Sequence, residues 1–272
     1  MFRSLTREDI AVQKYVLELI SQTIIPFLAG VLAVIIGGKI LLSKKYLARY
    51  LNKKEDFNIS NNELTKYFDL TASISEQTIV FPGDPTYTSE DVCSLTTGSQ
   101  YGLCQMHLGN HTGTHVDFPA HVLKGGKTSS DYTIDRLIGS CLIIQVPDED
   151  KSISKAFIAR QNIIRNDFVF FKTSNSNLPK QGGFTERYVF IEPEAAEELL
   201  KKNVRVVGID YISVDRYESE SLPVHKTLLS NDILIVEGLE LNNVPLGRCK
   251  VYIMPINIQN MDGLPARVVA KF

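Results

Sequence analysis

The chain has 272 residues, of which 44% are hydrophobic and 22% charged, a composition typical of a globular protein with one or two domains. Its 29 lysine and arginine residues are matched by 31 aspartate and glutamate residues, so the formal net charge is −2. This balance lacks the basic excess with which proteins bind nucleic-acid phosphates, and it argues against nucleic acid as a partner.

An apolar run near the N-terminus predicts a membrane anchor. Residues 24–42 contain Lys39 as their only charged residue and approach the ~20 apolar residues that span the hydrocarbon core of a bilayer. A surface helix, amphipathic or oligomerising, is the alternative interpretation. Five basic residues lie shortly after the run and Lys14 lies before it. The positive-inside rule therefore places the C-terminal part of the chain in the cytoplasm.

The sequence divides into three predicted parts. Residues 1–51 form the helical anchor, the polar, asparagine-rich residues 52–63 form a linker, and residues 64–272 form a single domain. In this domain, apolar runs predict buried strands over residues 140–146, 167–173, 204–210, 232–238 and 250–256. Helical patterns cover residues 154–166 and 193–203. This alternation predicts an α/β fold, and the sequence contains no glycine-rich phosphate loop that would indicate nucleotide binding.

One short segment concentrates residues that bind metals. It contains His111, His115, Asp117 and His121. Side chains at positions 115 and 117 project to the same side of an extended chain, and Gly113 permits a turn that brings His111 beside them. Pro119 rigidifies the exit toward His121. Because neutral imidazoles and a carboxylate suit Zn²⁺ or Mn²⁺, the segment predicts a divalent metal site.

The pattern H-x-G-T-H-x-D-x-P-x-H in this segment resembles the signature of the cyclase-like metal-dependent hydrolases, which include kynurenine formamidase (arylformamidase) and isatin hydrolase. Further segments resemble the family in the same order along the chain: residues 69–71, 81–85, 208–215, 225, 235–237 and 265–268. The resemblance covers residues 64–272 and none of the first 63. It implies a single mixed α/β domain of the swivelling β/β/α type, assembled as a homodimer or higher homo-oligomer.

The resemblance also implies roles for individual residues. His111, His115 and Asp117 would hold one metal, and Asp117 would bridge to a second held by His225 and Glu237, so one or two Zn or Mn ions are expected per chain. His121 would stay unliganded as the catalytic acid and base. One departure is Gly238, where many members of the family have an asparagine.

Two residues are weaker candidates for substrate binding. Phe81 occupies the place where family members often have a tryptophan against the substrate ring, and an ordinary core aromatic is an equal alternative. His107 precedes the motif by four residues and could face the pocket, although a hydrogen-bonded strand histidine is the favoured interpretation. Asp210 and Asp215 follow a predicted strand in a turn-like stretch, where a structural role is favoured.

These observations predict a metal-dependent hydrolase of C–N bonds in small linear or cyclic amides or lactams. Water activated by the metal would be the nucleophile, and His121 would protonate the leaving nitrogen. Two alternatives belong to other classes: a metal-dependent lyase or dehydratase acting on a small carbonyl compound, and a membrane-tethered metal-binding protein without catalysis. The sequence lacks the G-x-S-x-G pattern of serine hydrolases with an α/β-hydrolase fold.

Overall fold

The structure is a computed structural model that describes residues 34–36, 39–41, 66–179 and 181–272. The contacts within the chain divide it into two units, Met1–Leu64 and Thr65–Phe272. The predicted linker and most of the predicted anchor lie outside the described residues. Among the residues that are described, no helix is both long enough and apolar enough to cross a membrane.

The N-terminal unit corrects part of the predicted helix. Strands β1 (Val34–Ile36) and β2 (Lys39–Leu41) pair in antiparallel register, with Ile36 opposite Lys39. The helix predicted over residues 24–42 is wrong at these six positions. The residues Val34-Ile35-Ile36 are β-branched and a Gly-Gly dipeptide follows them, a pattern that favours a strand and a turn, and an apolar run alone does not distinguish this from a helix.

The C-terminal unit alternates strands and short helices. Its described strands are β3 (Tyr67–Asp69), β4 (Thr88–Cys93), β5 (Leu103–His107), β6 (His115–Asp117), β7 (Ile138–Gln145), β8 (Ser152–Ile153), β9 (Phe168–Lys172), β10 (Phe190–Ile191), β11 (Val206–Ile209), β12 (Leu234–Glu237), β13 (Gly247–Pro255) and β14 (Gly263–Lys271). Its described α-helices are α1 (Lys155–Ala159), α2 (Pro193–Lys201) and α3 (Pro223–Leu229). The five strands predicted from apolar runs are confirmed as β7, β9, β11, β12 and β13.

Seven of these strands close into a mixed barrel. Their order is β13-β7-β9-β11-β12-β6-β14, and β14 pairs back onto β13, which closes the ring. The pairs β7–β9, β9–β11 and β11–β12 are parallel, whereas the remaining pairs of the ring are antiparallel. Strand β3 adds to β14 at the outside of the ring. The predicted α/β class is therefore confirmed, as a barrel with helices packed outside it.

Alternation along the strands separates two hydrophobic cores. Phe168 and Phe170 of β9 belong to the cluster that fills the barrel, while Val169 and Phe171 belong to the cluster between the barrel and the helices. This is the period of two expected for a strand that is buried on both faces. A Cβ atom on Gly208 would lie 2.4 Å from the Phe170 ring, so a glycine is required where this ring fills the interior.

The first predicted helix is shorter than expected. Helix α1 begins after Ser154, whose side chain accepts the Phe157 N–H, but it ends at Ala159 rather than near residue 166. The Ile164 N–H is donated to the Asp167 carboxylate, and Asn166 has a φ of 69°, so the chain has left the helical conformation. Helix α2, by contrast, begins at the proline and ends in the basic residues that predicted its limits.

We expect residues 64–272 to fold without the preceding 63 residues, because the barrel and both of its cores are formed from this part of the chain. A truncated protein expressed from residue 64 should be soluble, and its thermal unfolding should be a single cooperative transition. Calorimetry against the full chain measures this. An insoluble product would place essential contacts before residue 64.

Candidate metal centre

Strand β6 carries the centre of the site. In β6, Val116 faces the interior of the barrel, so His115 and Asp117 face the opposite side, toward the helices. The neighbouring strand β12 places Glu237 directly opposite His115. Helix α3 carries His225 on a buried position. All four side chains are buried, with residue exposures of 3% or less.

The carboxylates of Asp117 and Glu237 lie between two groups of imidazoles. The first group is His111 and His115, and the second is His225 alone. Asp117 Oδ1 is 2.8 Å from His111 Nδ1 and 3.3 Å from His115 Nε2, while Asp117 Oδ2 is 3.7 Å from His225 Nε2. Glu237 Oε2 is 3.4 Å from His115 Nε2, and Glu237 Oε1 is 3.2 Å from His225 Nε2. Each carboxylate therefore offers one oxygen to each group. The structure brings together all five residues that the sequence analysis proposed as ligands, and Glu237 faces both groups rather than His225 alone.

Three atoms at the centre of this cluster lack hydrogen bonds. Both Asp117 oxygens and His115 Nε2 are buried without a hydrogen-bond partner among the described residues, although His111 Nδ1 approaches Asp117 closely. Burying a carboxylate in this way is costly unless a cation compensates it. Ligand atoms of His111, His115 and Asp117 lie within 4.8 Å of one another, and so do those of Asp117, His121 and His225. The residues present fit divalent cations.

The pKa values of His115, His225 and Asp117 also show that the buried carboxylates favour positive charge beside them. Burial opposes protonation of His115, but the Asp117 and Glu237 carboxylates outweigh it and raise the pKa of His115 to about 10. The pKa of His225 is likewise raised well above its ordinary value, mainly by Glu237 acting against burial. Burial tends to raise the pKa of Asp117, yet the charges of His115 and His111 hold it well below its usual range. The carboxylates thus favour positive charge on the neighbouring imidazoles, which a bound cation would also supply.

Backbone contacts near Gly113 set the orientation of His115. The His115 Nδ1–H donates to the Gly113 carbonyl at 2.9 Å, which leaves Nε2 facing the carboxylates. Gly113 has a φ of 68°, the left-handed conformation that the predicted turn needs. The chain at Gly238, which also has a φ of 68°, passes so close that a Cβ atom there would lie 2.4 Å from the Gly113 oxygen. Gly238, where this sequence differs from many members of the family, thus lies at a tight contact between the segments that carry His115 and Glu237.

Asp215 holds His225 in place. Its Oδ2 is 2.7 Å from His225 Nδ1, and its carboxylate also accepts the backbone N–H groups of Val224 and His225. A carboxylate on the second nitrogen of a metal-binding histidine fixes the tautomer and the ring orientation. The sequence analysis favoured a structural turn role for Asp215 and did not predict this contact. The contact forms because α3 folds back onto the loop that carries Asp215. Asp210 instead accepts hydrogen bonds from Thr173 and Ser176.

His121 lies at the open side of the cluster. It ends a short 3₁₀ turn, Pro119–His121, and its side chain is 26% exposed. Its ring centroid is 4.2 Å from that of His111 and 5.5 Å from that of His225. His121 Nδ1 lies 3.4 Å from Oδ2 of Asp262, a residue that the sequence analysis did not identify. The one sequence signal near Asp262 is Pro265, three residues later, which begins the last segment that resembles the family.

The two weaker candidates lie apart from the ligand cluster. Phe81 packs against Phe184 and Tyr217, with ring centroids 5.7 and 5.8 Å away. This aromatic group reaches the site indirectly, since Phe184 contacts Tyr188, whose hydroxyl donates to the Asp215 carbonyl. His107 is exposed on β5, where its Nε2 is 2.9 Å from the Gln105 side chain. The structure therefore matches the favoured hydrogen-bonded interpretation of His107.

Comparisons with known proteins identify relatives of this chain. Residues 68–216 match the family model named Cyclase, described as "Putative cyclase". The kynurenine formamidase of Salinibacter ruber is 34% identical over 210 residues, which cover 75% of this chain and 96% of that protein.

Solved structures share the fold. One described as a potential metal-dependent hydrolase with cyclase activity is 34% identical, has a TM-score of 0.67, and is matched over 98% of its length and 76% of this chain. Isatin hydrolase A from Labrenzia aggregata superimposes with a TM-score of 0.68 over 82% of this chain and 98% of its own. Its identity is 20%, so this likeness concerns the fold alone.

Removal of metal should make stability depend on pH. The raised pKa of His115 means that its proton stabilises the metal-free fold fully below about pH 6.5, the pKa of an unfolded histidine. This contribution is lost as the pH rises toward about 10. We expect the melting temperature of chelated protein to fall between about pH 6.5 and pH 9, while zinc-loaded protein loses less.

Melting curves of chelated and zinc-loaded protein, recorded at matched pH values, measure the difference. The gap between the two forms should widen as the pH rises. A variant of the exposed His107, His107→Ala, should leave the gap unchanged. A gap that stays constant or narrows would show that the imidazole protons do not compensate the carboxylates.

Replacing Asp215 should weaken metal binding. Asp215→Asn keeps the volume but removes the charge that orients His225, and we expect zinc affinity to fall by about 10- to 100-fold. Competition with a chromophoric chelator measures the affinity, and Asp91→Asn on the exposed strand β4 is the control. Unchanged affinity would confine Asp215 to the turn role.

Proposed function

The chain belongs to the Cyclase family of metal-dependent hydrolases, and on that basis we propose that it hydrolyses C–N bonds of small non-peptide amides. The substrates we propose are aryl formamides or cyclic amides of the isatin type. The observation that carries this proposal is the cluster itself: two buried carboxylates, each facing two groups of imidazoles, with His121 beside them at the open side.

The ligand atoms divide into two sets. His111, His115 and one oxygen of each carboxylate would hold one cation, and His225 with the other oxygens would hold a second. A divalent cation in such a site lowers the pKa of a water molecule and polarises a carbonyl group. Asp117 and Glu237 are the two residues shared by both sets, so they fix the separation between the positions.

His121 supplies proton transfer. Amide hydrolysis requires a proton on the leaving nitrogen, because an anilide anion is a poor leaving group. His121 is half-buried, contacts the ring of His111 and extends from a turn held by Pro119, so it is close to the ligand set without belonging to its buried centre. One ring nitrogen of His121 can take a proton from the attacking water and then donate it to the leaving nitrogen of the amide.

An aromatic group supports an aryl substrate. Phe81, Phe184 and Tyr217 pack on one another, and the partly buried rings continue through Tyr188 to Asp215 behind His225. The name of the Salinibacter relative, kynurenine formamidase, points to an aryl formamide for that protein. We extend this substrate class to the present chain on the strength of the 34% identity over 96% of that protein and of the ring cluster that reaches Asp215 through Tyr188.

A substrate panel in labelled water tests the proposal. Purified protein loaded with zinc or with manganese is assayed on formanilides, isatin, and small lactams and lactones in H₂¹⁸O. Hydrolysis places ¹⁸O in the acid product. A product without label would identify a lyase or dehydratase, and bound metal without turnover of any compound would favour a non-catalytic metal protein.

Two variants should separate metal binding from proton transfer. Asp117→Ala removes an oxygen from each ligand set, so metal and activity should be lost together. His121→Ala should keep the metal and lose about 10²- to 10⁴-fold in rate, with the larger loss on substrates that have poor leaving groups. Metal content and rate are measured on the same preparations.

His107→Ala is the matched control, since it removes an exposed imidazole from β5 and should preserve both metal and rate. Loss of metal in His121→Ala would make His121 a ligand and would reassign the acid and base. Equal rate losses on activated and unactivated substrates would show that His121 does not protonate the leaving group.

A further inference from the structure

Asp262 is fixed against the segment that carries His121. The Asp262 carbonyl accepts the Phe118 N–H at 2.8 Å, immediately before the Pro119–His121 turn. One residue earlier, the Met261 carbonyl accepts the Ser129 N–H at 2.8 Å. These hydrogen bonds join the two residues before β14 to Phe118, just before the turn, and to Ser129, farther along the chain after it. The position of Asp262 relative to His121 is therefore set by the backbone as well as by side chains.

The two oxygens of Asp262 have different partners. Oδ1 accepts the side-chain amide of Asn110 at 2.8 Å, which holds the carboxylate in one orientation. Oδ2 lies 3.2 Å from His111 Nε2 and 3.4 Å from His121 Nδ1. The same oxygen thus contacts a proposed metal ligand and the proposed acid and base. A carboxylate oxygen has two lone pairs and can accept both N–H groups.

The contact between Asp262 and His111 constrains the ring of His111. His111 Nδ1 faces Asp117 at 2.8 Å, so Nε2 is the nitrogen left to donate a hydrogen to Asp262. The ring also lies directly against Gly263, where a Cβ atom would be 2.3 Å from its nearest carbon. The Asp262-Gly263 pair therefore limits both the tautomer and the place of this ring.

We propose that Asp262 is a positioning residue that sets the tautomer of His121, a role that rests on the proposed function of the site. A neutral imidazole carries one N–H, and an acceptor beside Nδ1 holds the hydrogen there. The lone pair then lies on Nε2, the nitrogen available to take a proton from water. An aspartate has the same relation to the general-base histidine of serine proteases. The Asp262 side chain is 41% exposed, so water competes for this contact and the expected effect is moderate.

Nitrogen NMR of the full chain tests the tautomer without any activity. The chain has five histidines, and the His121 signal is the one that disappears in His121→Ala. In zinc-loaded wild type we expect the Nδ1–H form of His121. In Asp262→Ala the Nε2–H form should become populated, while the zinc content, measured at saturating zinc, stays unchanged even though loss of the His111 contact lowers zinc affinity. The exposed aspartate variant Asp148→Ala should resemble wild type in both measurements.

Kinetics test whether Asp262 acts through His121. Asp262→Ala should lower kcat by about 10- to 100-fold with KM within about threefold. In the His121→Ala background the same substitution should cause no further loss. Asn110→Ala, which frees the carboxylate without removing it, should shift the tautomer and kcat in the same direction to a smaller extent, and it remains informative should Asp262→Ala fail to fold.

Three results would overturn this assignment. Loss of zinc from Asp262→Ala even at saturating zinc would make Asp262 a ligand, together with His111 and His121. An additional loss of rate in the His121→Ala background would show that Asp262 acts independently of His121. An unchanged tautomer would remove its physical basis. If wild-type protein hydrolyses no amide, the proposed function fails, while the tautomer and zinc content still decide the role of Asp262.

Discussion

The burial of Asp117 and Glu237 on neighbouring strands is the constraint on which the site depends. Both carboxylates are almost completely buried. Burial and the charge of Asp117 tend to raise the pKa of Glu237, and His225 and His115 hold it below its ordinary value. Two such charges are stable only with compensating cations, and removing one member of a buried ion pair costs about 3–5 kcal/mol. The barrel holds them in fixed register, because β6 pairs with both β12 and β14. Protein and cation are thus expected to stabilise each other.

A second set of carboxylates lies behind the imidazoles. Asp215 contacts the outer nitrogen of His225, and Asp262 contacts His111 and His121. Each of these imidazoles then has one nitrogen toward an outer carboxylate and the other available to the centre of the site. His115 is held by a backbone carbonyl instead. The orientation of the ligands is consequently determined before any cation binds, which reduces the conformational entropy that binding must overcome.

The sequence predicted the parts of the site that are local. His111, His115 and Asp117 were found from spacing, because period-two alternation in a short strand places residues 115 and 117 on one face. His225 and Glu237 were identified only from the family resemblance, since nothing in their own segments indicates that α3 and β12 meet β6. Asp262 was missed because its role arises from contacts with two distant histidines.

The buried strands could be predicted from apolar runs, whereas closure of the barrel by β13 and β14 depends on strand pairing that no local pattern encodes. The helix over residues 24–42 failed at β1 and β2 because hydrophobicity alone is shared by helices and strands. The rest of that prediction, with its cytoplasmic topology and the homo-oligomer, remains a prediction.

Charge balance bears on how many cations the centre takes. In the described part of the chain, every ion pair of Asp117, Glu237, Asp215 and Asp262 is with a histidine, so no permanently charged side chain within 4 Å neutralises them. Ligand histidines must be neutral to bind a metal, which leaves three buried negative charges, on Asp117, Glu237 and Asp215, beside the 41% exposed Asp262. One divalent cation would leave a buried charge without compensation, and a low-dielectric site tolerates this poorly. Two divalent cations supply enough positive charge for all three buried carboxylates. Because both oxygens of Asp117 and of Glu237 already face separate groups of imidazoles, the electrostatics and the geometry together favour a centre with two ions.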